Sequence, residues 1–216
     1  MALRILVVDD HAVVRRGVRS LLESHEGWEV CGEATTGRDA VKESRRLRPD
    51  VVVMDLSLPE LNGLDATRQI LKDAPDTEVL VLTMHHSEEL ARDVLQAGAR
   101  GYVLKSDADE NLIAAVDSLR QHKPFLTSTV TEFVLDDYVR RGGAARDDLA
   151  QIAVTGRERE IIQLVAEGRS NKEAASTLGI SVKTIEAHRA NIMRKLHLRS
   201  VSDLVRYAIR NKIVQP

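Results

Sequence analysis

Three short apolar runs, each followed by charged residues, constrain the fold of this chain more than any other feature of its sequence. Residues 5–8 precede Asp9 and Asp10, residues 51–54 precede Asp55, and residues 101–104 precede Lys105. Continuous runs rich in β-branched residues are typical of strands buried on both faces of a parallel sheet. The carboxyl ends of parallel strands lie along one edge, where open α/β sheets bind their ligands. The three aspartates and the lysine are therefore predicted to converge at that edge.

This convergence predicts an acidic, metal-dependent site. Three close carboxylates repel one another unless a divalent cation lies among them, and Mg²⁺ prefers such oxygen ligands. Asp55 precedes residues typical of turns, and a carboxylate placed there can attack a phosphoryl group in line. Thr83, at the end of another apolar run, and Lys105 would contact the phosphoryl oxygens, and Tyr102 could report on the state of the site.

The front half of the chain alternates between the two kinds of secondary structure. Strands are predicted at 4–9, 28–33, 51–54, 78–83 and 101–104, and helices at 12–24, 37–47, 63–73, 87–97 and 109–121. Five β/α repeats with short connections predict an α/β fold, a doubly wound five-stranded parallel sheet covered by helices on both faces.

The back of the chain is predicted to be all-α. Residues 1–123 form the first predicted domain, 124–150 a linker with a helix at 131–139 and paired glycines at 142–143, and 151–216 the second domain. Thr155, Ser170 or Asn171, and Ser181 can cap the first three of four helices. A short helix, a glycine-containing turn at 179–181 and a basic helix at 182–196 are typical of a helix-turn-helix.

Charge and composition fit two domains with different partners. From Ala150 onward there are 12 Lys and Arg against 6 Asp and Glu, a net charge of +6, which leaves −8 for the rest of a chain whose total is −2. The basic segment is a candidate for binding nucleic acid. The apolar runs are too short to span a bilayer, and one cysteine, Cys31, fits a reducing cytoplasm.

The front half resembles the receiver domains of two-component response regulators, which have a flavodoxin-like fold. The resemblance covers residues 4–121 and includes the paired aspartates, the segment M-D-L-x-L-P-x-x-N-G and the run G-Y-V-L-K. It implies Asp55 as phosphoacceptor and a Mg²⁺ site made by Asp9, Asp10, Asp55 and the Ser57 carbonyl. It also implies that Thr83 and Tyr102 form a switch pair and that Lys105 belongs to the site.

Residues 155–212 resemble the LuxR-type helix-turn-helix, through T-G-R-E-R-E-I-I and I-S-V-K-T-I-E-A-H-R-A-N-I-M-R-K-L. Both resemblances together indicate the NarL/FixJ class, with Ala174 standing where that class usually has isoleucine. We expect Lys183, Thr184 and Glu186 to meet bases. The residues expected to meet phosphates are Arg189, Asn191, Arg194 and Lys195. The full set of expected DNA-binding residues is Asn171, Lys172, Lys183, Thr184, Glu186, Ala187, His188, Arg189, Asn191, Arg194 and Lys195.

The resulting expectation is a cytoplasmic transcription regulator, not an enzyme. A sensor histidine kinase would phosphorylate Asp55, and the phosphorylated form would bind double-stranded DNA as a homodimer, with RNA polymerase as a further partner. One alternative is a phosphatase of the haloacid dehalogenase type, which needs a second aspartate where this chain has Ser57. Another is a ligand-gated regulator, which needs an apolar pocket in place of the charged cluster.

Overall fold

The computed structural model describes residues 2–84, 87–127, 130–131 and 154–214. These residues form two compact units. The helix predicted at 131–139 lies outside the described residues, except for Thr131, and so do the paired glycines. The proposed domain boundaries stay a prediction.

The first unit is a six-stranded parallel sheet with the strand order β2-β1-β3-β4-β5-β6. Its strands are β1 (Leu3–Val8), β2 (Trp28–Ala34), β3 (Val51–Asp55), β4 (Glu78–Thr83), β5 (Gly101–Leu104) and β6 (Phe125–Leu126). Its helices are α1 (Ala12–Glu23), α2 (Gly37–Leu47), α3 (Gly63–Asp73), α4 (Glu88–Gln96) and α5 (Ala108–Arg120).

The α/β class and the parallel sheet are confirmed, but the expected number of strands was wrong. Phe125 and Leu126 pair with Gly101 and Tyr102 and add a sixth strand at the edge. A two-residue strand directly after Pro124 is too short to show alternation or a continuous apolar run, so periodicity could not reveal it.

Burial on both faces explains why the strands read as continuous apolar runs. Every residue of β3 and β4 is buried. One face packs against α1 and α5, with Ile5, Val53 and Leu112 in a shared core. Helices α2 and α3 pack against each other, and α2 contacts β1 and β2 while α3 contacts β3. The sheet is therefore rigid at the strand ends that carry the charged residues.

The second unit consists of α6 (Gly156–Ala166), α7 (Asn171–Leu178), α8 (Val182–Lys195) and α9 (Val201–Arg210). Their shared core includes Ile161, Leu178, Ile185, Ile192 and Leu204. The expected helix-turn-helix architecture is confirmed. No helix of the described residues is long and apolar enough to cross a membrane.

Candidate functional site

The acidic site forms where three strands of the sheet end. Asp9 follows β1, Asp55 is the last residue of β3, and Lys105 follows β5. The side chains of both aspartates are almost fully buried, at 3% and 2% exposure. The Lys105 Nζ lies 2.7 Å from Asp9 Oδ2 and 3.0 Å from Asp55 Oδ2. One ammonium group thus lies between two buried carboxylates that would otherwise repel each other.

Backbone amides take up the remaining oxygens of these two carboxylates. The His11 N–H donates to Asp9 Oδ1 and the Leu56 N–H donates to Asp55 Oδ1, both at 2.8 Å. The Oδ2 atoms of Asp9 and Asp55 are buried and have no hydrogen bond of good geometry, although Lys105 forms an ion pair with both. Buried carboxylate oxygens of this kind are suited to a cation.

Burial governs the protonation of the central groups. Burial raises the pKa of Asp55, and the nearby Asp9 raises it further, whereas the Lys105 ammonium and the Ser57 backbone lower it by less. Burial alone would lower the pKa of Lys105, but its hydrogen bond to Asp9 and the attraction of Asp55 outweigh burial and raise it. Lys105 therefore stays charged at neutral pH, next to a carboxylate that gives up its proton less readily than an exposed one.

Four of the described residues offer metal ligands at this site. Asp9, Asp10, His11 and Asp55 each place one ligand atom within 4.8 Å of the others. Asp10 is the open member of the set, with 35% of its side chain exposed. His11 was not among the metal ligands expected from the sequence. Its position directly after two aspartates was the signal that could have identified it.

The structure also shows a contact that sequence reasoning missed. Arg15, in the first turns of α1, donates from Nη1 to the Asp9 backbone carbonyl at 2.8 Å and from Nε to Glu33 at 2.8 Å. Its side chain is only 16% exposed. An arginine four residues into a helix reads as a solvated charge, so only the tertiary structure reveals that it holds the loop after β1.

The predicted switch residues are buried on adjacent strands. Thr83 ends β4 and Tyr102 lies in β5, with 0% and 1% exposure. Thr83 pairs with Leu104, two residues along from Tyr102. Burial raises the pKa of Tyr102 to about 12, so its hydroxyl keeps its proton. Ser57 is half-buried in the loop after β3, and the role of its carbonyl stays a prediction.

In the second unit, capping residues define the starts of the helices and the turn before α8. Thr155 and Ser170 form capping boxes with Glu158 and Glu173 at the starts of α6 and α7. Gly179 ends α7 with a φ of 64°, in the left-handed region that glycine adopts without strain. The Ser181 side chain accepts from the Thr184 N–H and starts α8. The Gly179 and Ser181 caps thus define the turn between α7 and α8.

Most of the residues expected to contact DNA lie exposed on α7 and α8. The exposed ones are Lys172, Lys183, Thr184, Glu186, Ala187, Asn191 and Arg194. His188 is half-buried. Val182 is 39% exposed, and only Ile185 and Ile192 of α8 are fully buried. Val182 is the first residue of the helix, where no preceding turn covers it.

Three of the expected DNA contacts link different helices of this unit. Arg189 donates to the Asn171 side chain and thereby links α8 to α7. The Lys195 Nζ lies 2.8 Å from Glu158 Oε2 and links the end of α8 to the start of α6. Burial would raise the pKa of Glu158, but Lys195 and the Thr155 cap hold it below its usual value. Lys195 therefore links two helices of this unit, whereas the exposed Arg194 donates to Asn191 on its own helix.

The chain combines a parallel-sheet unit, which has an acidic site at its strand ends, with a helix-turn-helix unit. This combination defines a DNA-binding regulator with a separate input unit. Comparison with known proteins agrees. Residues 5–117 match the response regulator receiver domain, and residues 153–208 match the bacterial regulatory proteins of the luxR family. The chain belongs to the response regulators that combine these two parts, and it is a DNA-binding transcriptional regulator.

Relatives of known name or structure match the whole chain or its larger part. The oxygen regulatory protein NreC of Staphylococcus carnosus is 40% identical over 98% of this chain and 99% of its own. A solved LuxR-family two-component response regulator from Aurantimonas sp. SI85-9A1 is 34% identical, covering 64% of this chain and 99% of its own, with a TM-score of 0.61. A structure of two RcsB dimers bound to two parallel DNAs is 27% identical over 96% of this chain and 98% of its own, with a TM-score of 0.58.

Proposed function

We propose that phosphorylation of Asp55 switches this regulator and that a sensor histidine kinase is the donor. The observation that carries the proposal is the buried Asp55 carboxylate, held at a strand end within 3.0 Å of the Lys105 ammonium. An Asp55 oxygen attacks phosphorus, a P–O bond forms, the P–N bond to the donor imidazole breaks, and the imidazole takes up a proton. Lys105 then pairs with a phosphoryl oxygen as the charge on that group moves to Asp55.

The acidic residues would hold Mg²⁺ for this transfer. Asp9, Asp10 and Asp55, with the Ser57 carbonyl, supply the oxygen ligands that this ion prefers. Bound Mg²⁺ offsets the negative charge of the carboxylates and of the incoming phosphoryl group. The Leu56 N–H orients the Asp55 carboxylate through Oδ1 and leaves the other oxygen facing Lys105.

Phosphorylation of purified protein by acetyl phosphate and Mg²⁺ tests the assignment directly. Mass spectrometry should locate an acid-stable, base-labile adduct on Asp55, and Asp55→Asn should lack it. Asp76→Asn, which changes an exposed carboxyl before β4, is the matched control and should be modified like the wild type. An adduct formed at the wild-type yield in Asp55→Asn would exclude Asp55 as the acceptor.

Thr83 and Tyr102 would transmit the effect of phosphorylation from the acidic site to the protein surface. The Thr83 hydroxyl would turn toward the new phosphoryl group, and the buried Tyr102 ring would follow along β5. The output is a shift between two populations of the surface around α4 and β5. In this proposal the phosphoryl group shifts an equilibrium between two conformations that already exists in the unphosphorylated protein.

The second unit would bind double-stranded DNA through α8, with Lys183 and Glu186 at base edges and Arg194 at phosphates. The phosphorylated protein would bind as a homodimer, as the RcsB dimers do on DNA. Helix α9 presents an apolar stripe of Val201, Val205 and Ile209, and two of its members are 48% and 38% exposed. RNA polymerase is the expected further partner, and the cytoplasm is the expected compartment.

A further inference from the structure

We propose that His11 supplies a nitrogen ligand to the metal site, so that the site prefers divalent transition ions such as Mn²⁺ to Mg²⁺. The inference rests on the metal site proposed above and adds a ligand of a different chemical kind. Oxygen-only sites suit Mg²⁺, whereas an imidazole nitrogen favours first-row transition ions in the order Mn²⁺, Fe²⁺, Co²⁺ and Ni²⁺.

The position of the ring supports direct ligation. The His11 Nδ1 lies 2.7 Å from Asp10 Oδ1 and 3.6 Å from Asp9 Oδ1. In an octahedral ion with bonds of about 2.1 Å, neighbouring ligands are about 3.0 Å apart and opposite ligands about 4.2 Å apart. The four donor atoms of Asp9, Asp10, His11 and Asp55, all within 4.8 Å of one another, need only small adjustments to surround such an ion.

The described contacts of the His11 ring are with the acidic site itself, at Asp10 and Asp9. His11 is the N-cap of α1, but its side chain makes no capping hydrogen bond. Its backbone N–H, in contrast, donates to Asp9 Oδ1 at 2.8 Å. The side chain is 68% exposed, so the ring can rotate from its contact with Asp10 to a metal ion. The backbone holds the loop in place, and the imidazole is left to bind.

Few other atoms remain to complete the coordination. The Oδ1 atoms of Asp9 and Asp55 accept from backbone amides, and both Oδ2 atoms face the Lys105 ammonium. Asp10, with 35% of its side chain exposed, is the most open carboxylate, and His11 is its immediate neighbour. An ion that enters beside Asp10 therefore meets the imidazole before it meets the buried carboxylates.

Pulsed electron paramagnetic resonance of Mn²⁺ bound to the full-length protein tests the inference without any activity measurement. The echo of bound Mn²⁺ should be modulated by a ¹⁴N nucleus, and the frequencies should change when the histidines carry ¹⁵N. His11→Gln should abolish the nitrogen modulation, lower the affinity for Mn²⁺ about tenfold and change the affinity for Mg²⁺ by less than twofold. His25→Gln removes a histidine stacked on Trp28, at the opposite end of β1, and should change nothing.

The outcomes separate this inference from the proposed metal site. If Mn²⁺ binding is lost in Asp10→Asn but shows no nitrogen modulation in the wild type, the metal site stands and His11 is not a ligand. If Mn²⁺ binds equally well to wild type and Asp10→Asn, the metal site and the role of His11 both fall. Modulation that persists in His11→Gln assigns the nitrogen to another residue and overturns the inference.

Discussion

Arg15 holds the backbone of the loop that carries Asp9 and Asp10. Its Nη1 donates to the Asp9 carbonyl at 2.8 Å, and Glu33 holds its Nε at the same distance. Lysine cannot make both contacts, because it lacks the planar fork of the guanidinium. We expect Arg15→Lys to slow phosphorylation by acetyl phosphate about tenfold, since small displacements of reacting groups cost rate steeply.

Arg19 provides the matched control for this prediction. It donates to Glu33 at 2.9 Å and to Glu23 at 3.0 Å, and none of these hydrogen bonds involves Asp9. Arg19→Lys should be phosphorylated at the wild-type rate, measured as the initial rate of adduct formation under the same conditions. Equal rates in the two variants would show that the contact of Arg15 with Asp9 has no part in positioning the site.

The raised pKa of Asp55 predicts how the stability of the first unit depends on pH. The folded state holds the Asp55 proton more tightly than the unfolded state, so this residue destabilises the fold as pH rises through its raised pKa. Asp55→Asn removes that charge but keeps the shape, and Lys105 keeps Asp9 as a partner. Calorimetry should show a melting temperature a few degrees higher for the variant at pH 7.

The difference in melting temperature between Asp55→Asn and the wild type should shrink as pH falls toward the ordinary pKa of an aspartate. A difference that stays constant from pH 8 to pH 4 would show that the charge of Asp55 is not its source. Measurements without divalent cations keep the comparison to the protein's own groups.

At the residue scale, the sequence predicted the convergence of Asp9, Asp55 and Lys105 because the position of a strand end is a local property. It did not predict the roles of His11 and Arg15. Those roles depend on a ring that turns toward Asp10 and on a guanidinium that reaches across to β2. Neither periodicity nor spacing carries information on the direction of a single exposed or amphipathic side chain.

The connection between β3 and α3 requires glycine at its end. A Cβ on Gly63, the first residue of α3, would lie 2.0 Å from the Asp55 backbone oxygen and 2.8 Å from the Leu56 Cα. Because both are backbone atoms, the loop that follows β3 would have to move. We expect Gly63→Ala to destabilise the first unit by ~3 kcal/mol or more and to slow phosphorylation.

Gly17→Ala is the control, because a Cβ at this position in α1 meets nothing within 4 Å. Alanine is the better helix former by roughly 0.5–1 kcal/mol, so this variant should be slightly more stable than the wild type. Thermal unfolding of both variants measures the two effects. A Gly63→Ala protein as stable as Gly17→Ala would contradict the close approach of α3 to β3.

Two neighbouring residues at the end of α8, Arg194 and Lys195, have different surroundings. Lys195 supports the fold of the unit, and Arg194 is exposed and can contact DNA. Lys195 bonds Glu158 in the first turn of α6, whereas Arg194 bonds Asn191 on its own helix. We expect Arg194→Ala to lower the slope of log affinity against log salt by about 0.9, the value of one phosphate contact. Lys195→Ala should change that slope less and destabilise the second unit by about 0.5–1 kcal/mol.

Fluorescence anisotropy with labelled DNA over a range of salt concentrations measures the slope, and thermal unfolding measures the stability. The prediction separates two neighbours for which the sequence alone gave the same role. Equal changes of slope in the two variants would show that Lys195 leaves Glu158 to contact a phosphate.

Helices and strands were predicted best where several local signals agreed. The spans of α2 and α3, 37–47 and 63–73, match the structure at both ends, and so does β4. The Thr155 capping box and the glycine that ends α7 also appear as expected. The error in the number of strands falls where local signals are weak, at the two-residue β6, whose pairing depends on residues distant in the sequence.

Across the whole molecule, charge is divided between an acidic N-terminal part and a basic C-terminal part. The segment from Ala150 onward carries +6 and the rest −8. The positive field of the segment from Ala150 onward attracts DNA of any sequence. We therefore expect sequence specificity to come from α8 and from the number of half-sites bound at once. One recognition helix reads only a few base pairs, and its affinity is modest.

We therefore expect phosphorylation to promote binding as a dimer, with the stripe of Val201, Val205 and Ile209 on α9 as the contact between the two copies. Leu204 and Ala208 on the same helix are buried in the core of the unit, so the stripe is the side of α9 left exposed. The phosphorylated protein should bind an inverted-repeat site at least tenfold more tightly than a single half-site. Ile209→Glu should remove this difference and leave half-site binding unchanged.

Ser202→Glu adds the same charge at an exposed position on α9 outside the stripe and is the matched control. It should bind the inverted repeat like the wild type, while sedimentation velocity should show a dimer for the wild type and the control and a monomer for Ile209→Glu. Because a charge buried between two apolar stripes has no partner, its cost falls on the dimer and not on the fold of one copy. A phosphorylated monomer that binds one half-site as tightly as the full inverted repeat would refute the dimer mechanism.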